Sequence, residues 1–264
     1  MAASPDLRFP RPDELPTEQF TWLVQSRNEY GAAAVMAQLT HWLVALGMSP
    51  DSIQRASRII NDEVLHAKLC REVYLAAGGE ERPVVLADEA LSHYDDPDAP
   101  IVWRAVTAAG ELAVEETVAL PVFMARQRAA THAEPVAAVK QIIKDEAFHR
   151  AFGWDLYDEF IERLGVEAVR AWSRPRLGWW LRAYLLAHPG DDEPVYSDEQ
   201  MAWGLIQRQD HWDLMRQCVD EVVLPRFRKR GILEEGVDAD ELERQTLASR
   251  GHIVPPWSVA APSH

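Results

Sequence analysis

Cysteine is scarce in this sequence: 264 residues contain two, Cys70 and Cys218. That excludes a disulfide-stapled scaffold, a four-cysteine zinc ribbon, a rubredoxin-type iron site and a cysteine-ligated iron–sulfur cluster. Basic charge is also in deficit. There are 27 Lys and Arg against 42 Asp and Glu, a net charge of −15. A nucleic-acid groove needs a strong local basic patch against that field, and none is visible, so no nucleic-acid partner is expected. No run of about 18 apolar residues exists, so no membrane-spanning helix is expected. The opening MAASPDLRFPRPDELP carries charges and prolines where a signal peptide needs an apolar stretch, so the expected location is the cytoplasm, with reduced thiols. Low-complexity tracts are missing. The one strand-like run, Val84-Val85-Leu86, is too short to support a sheet.

What is present reads as helix. Hydrophobic residues make up 47% and charged residues 26% of the chain, values of a globular protein able to bury a core without disulfides. Gly and Pro cluster at a few points, and the segments between them carry helical periodicity. A first helix is predicted over residues 17–47, stopped by Gly47-Met-Ser-Pro50, and a second over 51–77, stopped by Gly78-Gly79. Residues 78–98 read as a loop. A third helix is predicted over 99–130 and a fourth from Pro135 to Leu164, with proline at its first position. Two short helices over 166–187, interrupted at Ser173-Arg-Pro175, and one over 197–230, broken or kinked near Pro225, complete the pattern; an extended tail follows from about residue 250.

Two of the long helices share a motif. Asp62-Glu63-Val64-Leu65-His66 and Asp145-Glu146-Ala147-Phe148-His149 are both D-E-x-x-H, and residues three apart on a helix project from one face. The flanking stripes are apolar: Cys70, Val73 and Ala77 continue one, and Val139, Ile142, Gly153, Leu156 and Phe160 continue the other. Carboxylates and imidazoles on inward faces are severely unfavourable without partners, and a dication removes that cost. Two such helices match a carboxylate-bridged di-metal site in a four-helix bundle, which also needs one Glu from each remaining helix.

Depth along the axis locates those two acids. In an antiparallel hairpin turning near residues 47–50, Glu63 and His66 lie roughly 20–24 Å from the turn and Glu29 roughly 27 Å. Glu29 sits on the stripe Trp22, Gln25, Ala32, Met36. In the second hairpin, Glu146 and His149 lie 12 and 15 residues past Glu134, and Glu116 lies 15 residues before Thr131. Glu115 competes for this position, with apolar neighbours at Ala108, Leu112, Ala119 and Val122. Glu116 is favoured because Glu115 continues a polar edge with Arg104 and Glu111. Helices two and three then run parallel, and residues 78–98 must cross over between them. Cys70, Tyr30 and Tyr74 read as core packing, and Trp179-Trp180 as cover for the bundle. His41, His93, His132 and His211 show no partner pattern. Pro121 reads as a kink that leaves a carbonyl free one turn back, near Thr117.

The arrangement resembles the ferritin-like di-iron carboxylate superfamily over about residues 17–163. More narrowly, Glu116-Thr-Val-Ala-Leu-Pro and Asp145-Glu-Ala-Phe-His-Arg-Ala-Phe-Gly-Trp resemble the bacterial ferritin-like oxygenase and oxidase group. The resemblance implies an all-α, ferritin-like four-helix bundle over 17–163. It also implies a long crossover between helices two and three; the extension over 164–264 departs from that group and is expected to pack on the bundle in a single structural domain. It implies two irons bridged by Glu63 and Glu146. His66 and His149 then bind one iron each, Glu29 and Glu116 are terminal ligands, and the four glutamates are catalytic. Asp62 and Asp145 hold the imidazole N–H groups. Manganese or a mixed Mn/Fe pair suits the same oxygen and nitrogen donors.

Three functions follow as expectations. The first is a di-iron oxygenase or oxidase that uses O₂ to N-oxygenate, hydroxylate or desaturate a small organic substrate. With no rubredoxin domain in the chain, its electrons come from an external donor or the substrate. The second is a ferroxidase or iron-storage subunit. The third is a non-catalytic, metal-stabilised bundle. Homodimerisation is left open.

Overall fold

The computed structural model describes residues 9–83, 98–190 and 195–248. Among these there is no strand, and four long helices dominate: α1 (Thr17–Ala45), α2 (Pro50–Ala76), α3 (Ile101–Ala129) and α4 (Ala133–Leu164). Their bounds fall within a few residues of the sequence-based expectation because the stops are local. Gly47 takes φ +62°, and the Met48 N–H returns to the Leu43 carbonyl at 3.0 Å, closing α1 with a glycine in the left-handed region. Ser49 caps α2 by accepting from the Ser52 N–H at 3.1 Å, and Pro50 occupies the first position, where an N–H has no helical partner anyway. Helix α4 begins two residues earlier than expected, so Pro135 lies within its first turn and still costs no hydrogen bond.

The long helices pair as α1 with α2 and α3 with α4, and the pairs meet through α2 against α4 and α1 against α3. The buried apolar side chains fall into two clusters. One holds Trp22, Cys70, Phe123 and Ile142; the other holds Met36, Ile59, Val114 and Phe152. Each long helix passes from one cluster to the other through a buried glutamate: Glu29, Glu63, Glu116 and Glu146. The polar site is therefore a layer between two apolar cores.

The C-terminal part differs more from expectation. It comprises α5 (Val166–Ser173), a 3₁₀ turn (Arg174–Arg176), α6 (Leu177–Trp180), α7 (Arg182–Leu185), α8 (Asp198–Ala202), α9 (Arg208–Cys218), a π turn (Val219–Val223), α10 (Leu224–Lys229) and α11 (Ala239–Ala248). The single helix expected over 197–230 is thus broken. Gly204 at φ +82° stops α8, and the Thr131 and His132 N–H groups take the Ala202 carbonyl at 2.9 and 3.2 Å. A long-range tie, invisible in local periodicity, fixes the break. Pro225 sits in the first turn of α10, and the wide turn precedes it. Helix α11 belongs to a stretch that the sequence pattern leaves unassigned. The Val84–Leu86 run, His93 and the C-terminal tail lie outside the described residues.

The extension packs chiefly on α3, through α5, α6, α9 and the π turn. Pro121 lies inside α3, and the Thr117 carbonyl one turn back accepts the Cys218 thiol at 3.4 Å. Trp180 is buried against Gly110 of α3, where a Cβ would meet its ring at 2.6 Å. No described helix is long and apolar enough to cross a membrane.

Helices α3 and α4 approach closely at Gly153. A Cβ there would lie 2.8 Å from both N and Cα of Ala113, and backbone cannot yield. Gly→Ala in a helix ordinarily stabilises by about 1 kcal/mol. Here overpacking reverses the sign: Gly153→Ala should lower stability by about 1–3 kcal/mol in denaturant melts. An unchanged or stabilised variant contradicts this close approach.

Candidate metal centre

Glu29, Glu63, His66, Glu116, Glu146 and His149 are all buried, although they come from four helices. They form two groups of potential ligands. One is Glu29, Glu63, His66 and Glu146; the other is Glu63, Glu116, Glu146 and His149, with donor atoms in each group within 4.8 Å of one another. Glu63 and Glu146 belong to both. The imidazoles lie side by side, 5.6 Å between ring centres. The Nδ1 of His149 is 3.1 Å from Glu63 and 3.1 Å from Glu146; the Nδ1 of His66 is 3.4 and 3.6 Å from the same two residues.

The outer nitrogens are held crosswise. His66 Nε2 lies 3.3 Å from Asp145 on α4, and His149 Nε2 lies 3.3 Å from Asp62 on α2. Each Asp of a D-E-x-x-H motif thus orients the imidazole of the other helix, not its own. Sequence spacing cannot show that, because it depends on how α2 and α4 pack. Asp145 is fixed in turn by the Gln141 amide at 2.6 Å. With Nε2 occupied by a carboxylate, Nδ1 is the atom left for a metal. Glu29 accepts from the Gln25 amide at 2.7 Å. On α3, Glu116 points into the cluster, while Glu115 is exposed. The polar edge invoked for that choice is only partly present, since Glu111 is buried and its Oε2 has no hydrogen-bond partner. Burial and the neighbouring Glu115 push its carboxyl well above the usual range, with Arg182 opposing.

Electrostatics reflect the crowding. Burial, reinforced by the charges of Glu63 and Glu146, pushes the Glu29 carboxyl well above its ordinary value; burial and Glu146 do the same to Glu116. Burial also opposes ionisation of Glu63, but the imidazoles of His149 and His66 outweigh it and hold that carboxyl at about 2. Conversely, burial disfavours the His149 imidazolium, yet Glu146 and Glu63 raise it to about 10; Glu63 and Glu146 also raise His66 against its burial. Even so, Glu63 Oε2 and His66 Nδ1 remain buried without a hydrogen-bond partner. These orphaned atoms face each other inside a set of oxygen and nitrogen donors, which fits a divalent transition metal. The buried Glu and His groups can hold a metal ion.

A cavity of about 1030 Å³ opens on this layer between α1 and α3. Glu29, Glu63, Glu116 and Glu146 line it; His66 and His149 lie behind them. The C-terminal extension covers it with Tyr184, Tyr196, Leu205, Ile206 and His211. Sequence reading missed Arg126 in this wall, because its position in the last turn of α3 resembles an ordinary dipole-compensating arginine. Of the other candidates, Cys70 and Tyr74 are core residues and His41 is exposed. His132 stacks on Trp203 with ring centres 4.0 Å apart. No protein-family profile, curated protein or solved structure matches this chain.

At neutral pH the metal-free His149 carries a proton that a metal must displace. Loading with Fe(II) or Mn(II) should therefore release protons into a weakly buffered solution, at least about one per chain, with affinity rising as pH increases from about 6 to 9. Metal uptake with neither proton release nor pH dependence contradicts ligation by these imidazoles.

Proposed function

We propose that this chain is a ferritin-like four-helix bundle carrying a non-haem di-iron centre, and that it uses O₂ to oxidise a small organic substrate. The observation that carries the reading is the pair of ligand groups sharing Glu63 and Glu146 at the wall of a cavity of about 1030 Å³. Shared carboxylates are what a bridged pair requires, and two metals roughly 3.5–4 Å apart suit that sharing. When bound, a ferrous pair supplies two electrons to O₂. The protein residues do the rest. Glu63 and Glu146, common to both ligand groups, and Nδ1 of His66 and His149 would hold the metals, while Asp145 and Asp62 keep the imidazoles oriented. Glu29 and Glu116 would complete the two ligand groups at the cavity wall, and the protons that burial favours on them in the metal-free protein would leave as a metal binds. The extension shields the cavity from water and shapes it for an organic molecule.

The pairing of the four long helices supports the bundle topology. Iron is preferred over manganese on chemistry, since activation of O₂ needs a readily oxidised metal. Electrons for repeated turnover come from a separate donor. The oxidation is N-oxygenation, hydroxylation or desaturation.

The test is to mix anaerobic Fe(II) protein with O₂ in a stopped-flow instrument and count irons oxidised and retained. About two irons per chain should be oxidised together and stay bound, with no further reaction until a reductant is added. Oxidation of tens of irons per chain into a mineral contradicts the proposal and favours storage. Failure to oxidise iron, with or without organic acids and amines present, favours a structural metal.

A further inference from the structure

Although the charge of Glu29 reaches it, Arg126 is a buried cation with which no carboxylate among the described residues forms an ion pair. Its side chain is 6% exposed and lines the cavity. Nε donates to the Gly204 carbonyl at 3.1 Å and Nη1 to the Gln25 side-chain oxygen at 3.0 Å; both acceptors are neutral. Nη2 is buried with no hydrogen-bond partner. The guanidinium lies flat against Trp22, 4.2 Å from its ring centre, with Phe123 at 5.7 Å. It is therefore held against Trp22 and by two neutral acceptors, with one donor nitrogen to spare. An unpaired buried charge is costly, and a guanidinium nitrogen left without a partner at a cavity wall matches an anion.

We propose that Arg126 binds the carboxylate of a monoanionic organic acid whose apolar body fills the cavity toward Glu29 and Glu116. This rests on the preceding reading of the cavity as the substrate site. A monoanion is favoured over a phosphate dianion because one nitrogen is available and five glutamates share the same wall. The body is apolar because Val118, Ala119 and Val122 line the cavity along α3 between Glu116 and Arg126. The reactive end is close to the anion: Gln25 bridges Arg126 Nη1 and Glu29, at 3.0 and 2.7 Å. A carboxylate at Arg126 thus stands one glutamine away from a proposed metal ligand. His211 supplies a reporter. Burial, Arg126 and Arg208 hold its imidazole down at about 4; an anion beside Arg126 offsets part of that positive field and raises it.

The probe is octanoate, compared with octanol and octyl phosphate, titrated calorimetrically into anaerobic Fe(II)-loaded protein, with His211 followed by NMR. Octanoate should bind about ten- to a hundredfold more tightly than octanol and raise the His211 titration midpoint. Arg126→Gln should lose that preference, and Arg126→Lys should keep part of it. Because Arg126 also holds Gly204, a second variant guards against misfolding. Ala119→Trp fills the cavity beside an intact arginine and should abolish octanoate binding with the melting temperature preserved. Equal binding of octanoate and octanol, tighter binding of octyl phosphate, or octanoate binding unchanged in both Arg126→Gln and Ala119→Trp overturns the proposal. Octanoate binding of the expected kind by a protein that does not react with O₂ sustains Arg126 as the anion site and refutes only the oxidase reading.

Discussion

Four carboxyl groups and two imidazoles occupy one buried layer, and the rest of the structure is arranged around keeping them there. Unpartnered, each buried charge opposes folding by several kcal/mol. In the metal-free protein the conflict is resolved by protons: Glu29 and Glu116 shift toward their neutral forms while the His149 imidazolium is retained beside Glu63 and Glu146. Two divalent cations match the charge of four carboxylates, so metals can replace those protons without leaving net charge in the interior. Apolar clusters above and below flank the layer, and their low dielectric strengthens the interactions inside it.

The extension completes this arrangement. It covers the open side of the carboxylates, and it also repairs what the cavity requires of α3. Pro121 leaves the Thr117 carbonyl without a helical donor, and Cys218 reaches it from α9. The residues around Gly204 clasp the α3–α4 turn, receive Arg126, and take the Trp22 indole N–H at 2.8 Å through the Trp203 carbonyl. The cavity, its buried cation and the tie between extension and helices are thus one structural unit.

Much of this was legible in residue spacing. Stop signals at Gly47, Ser49-Pro50 and Gly165 act locally, so the long helices were readable. The two D-E-x-x-H motifs were readable because helical geometry alone puts Glu and His on one face. Glu29 and Glu116 could be found by matching depth along antiparallel helices. The illegible parts depend on contacts distant in sequence. Asp62 and Asp145 serve opposite helices because α2 and α4 pack with their motifs level. Glu111 is buried by the extension, and no periodicity within α3 foretells that. The break at Gly204 is set by the turn before α4. Arg126 is found only once its neighbours Trp22, Gln25 and Gly204 are brought together.

The most direct measurement is anomalous diffraction at the iron edge from crystals of anaerobically iron-loaded protein. Two peaks about 3.5–4 Å apart are expected, both within bonding distance of Glu63 and Glu146, with His66 Nδ1 on one and His149 Nδ1 on the other. A single peak, or peaks away from these residues, contradicts a bridged di-iron centre.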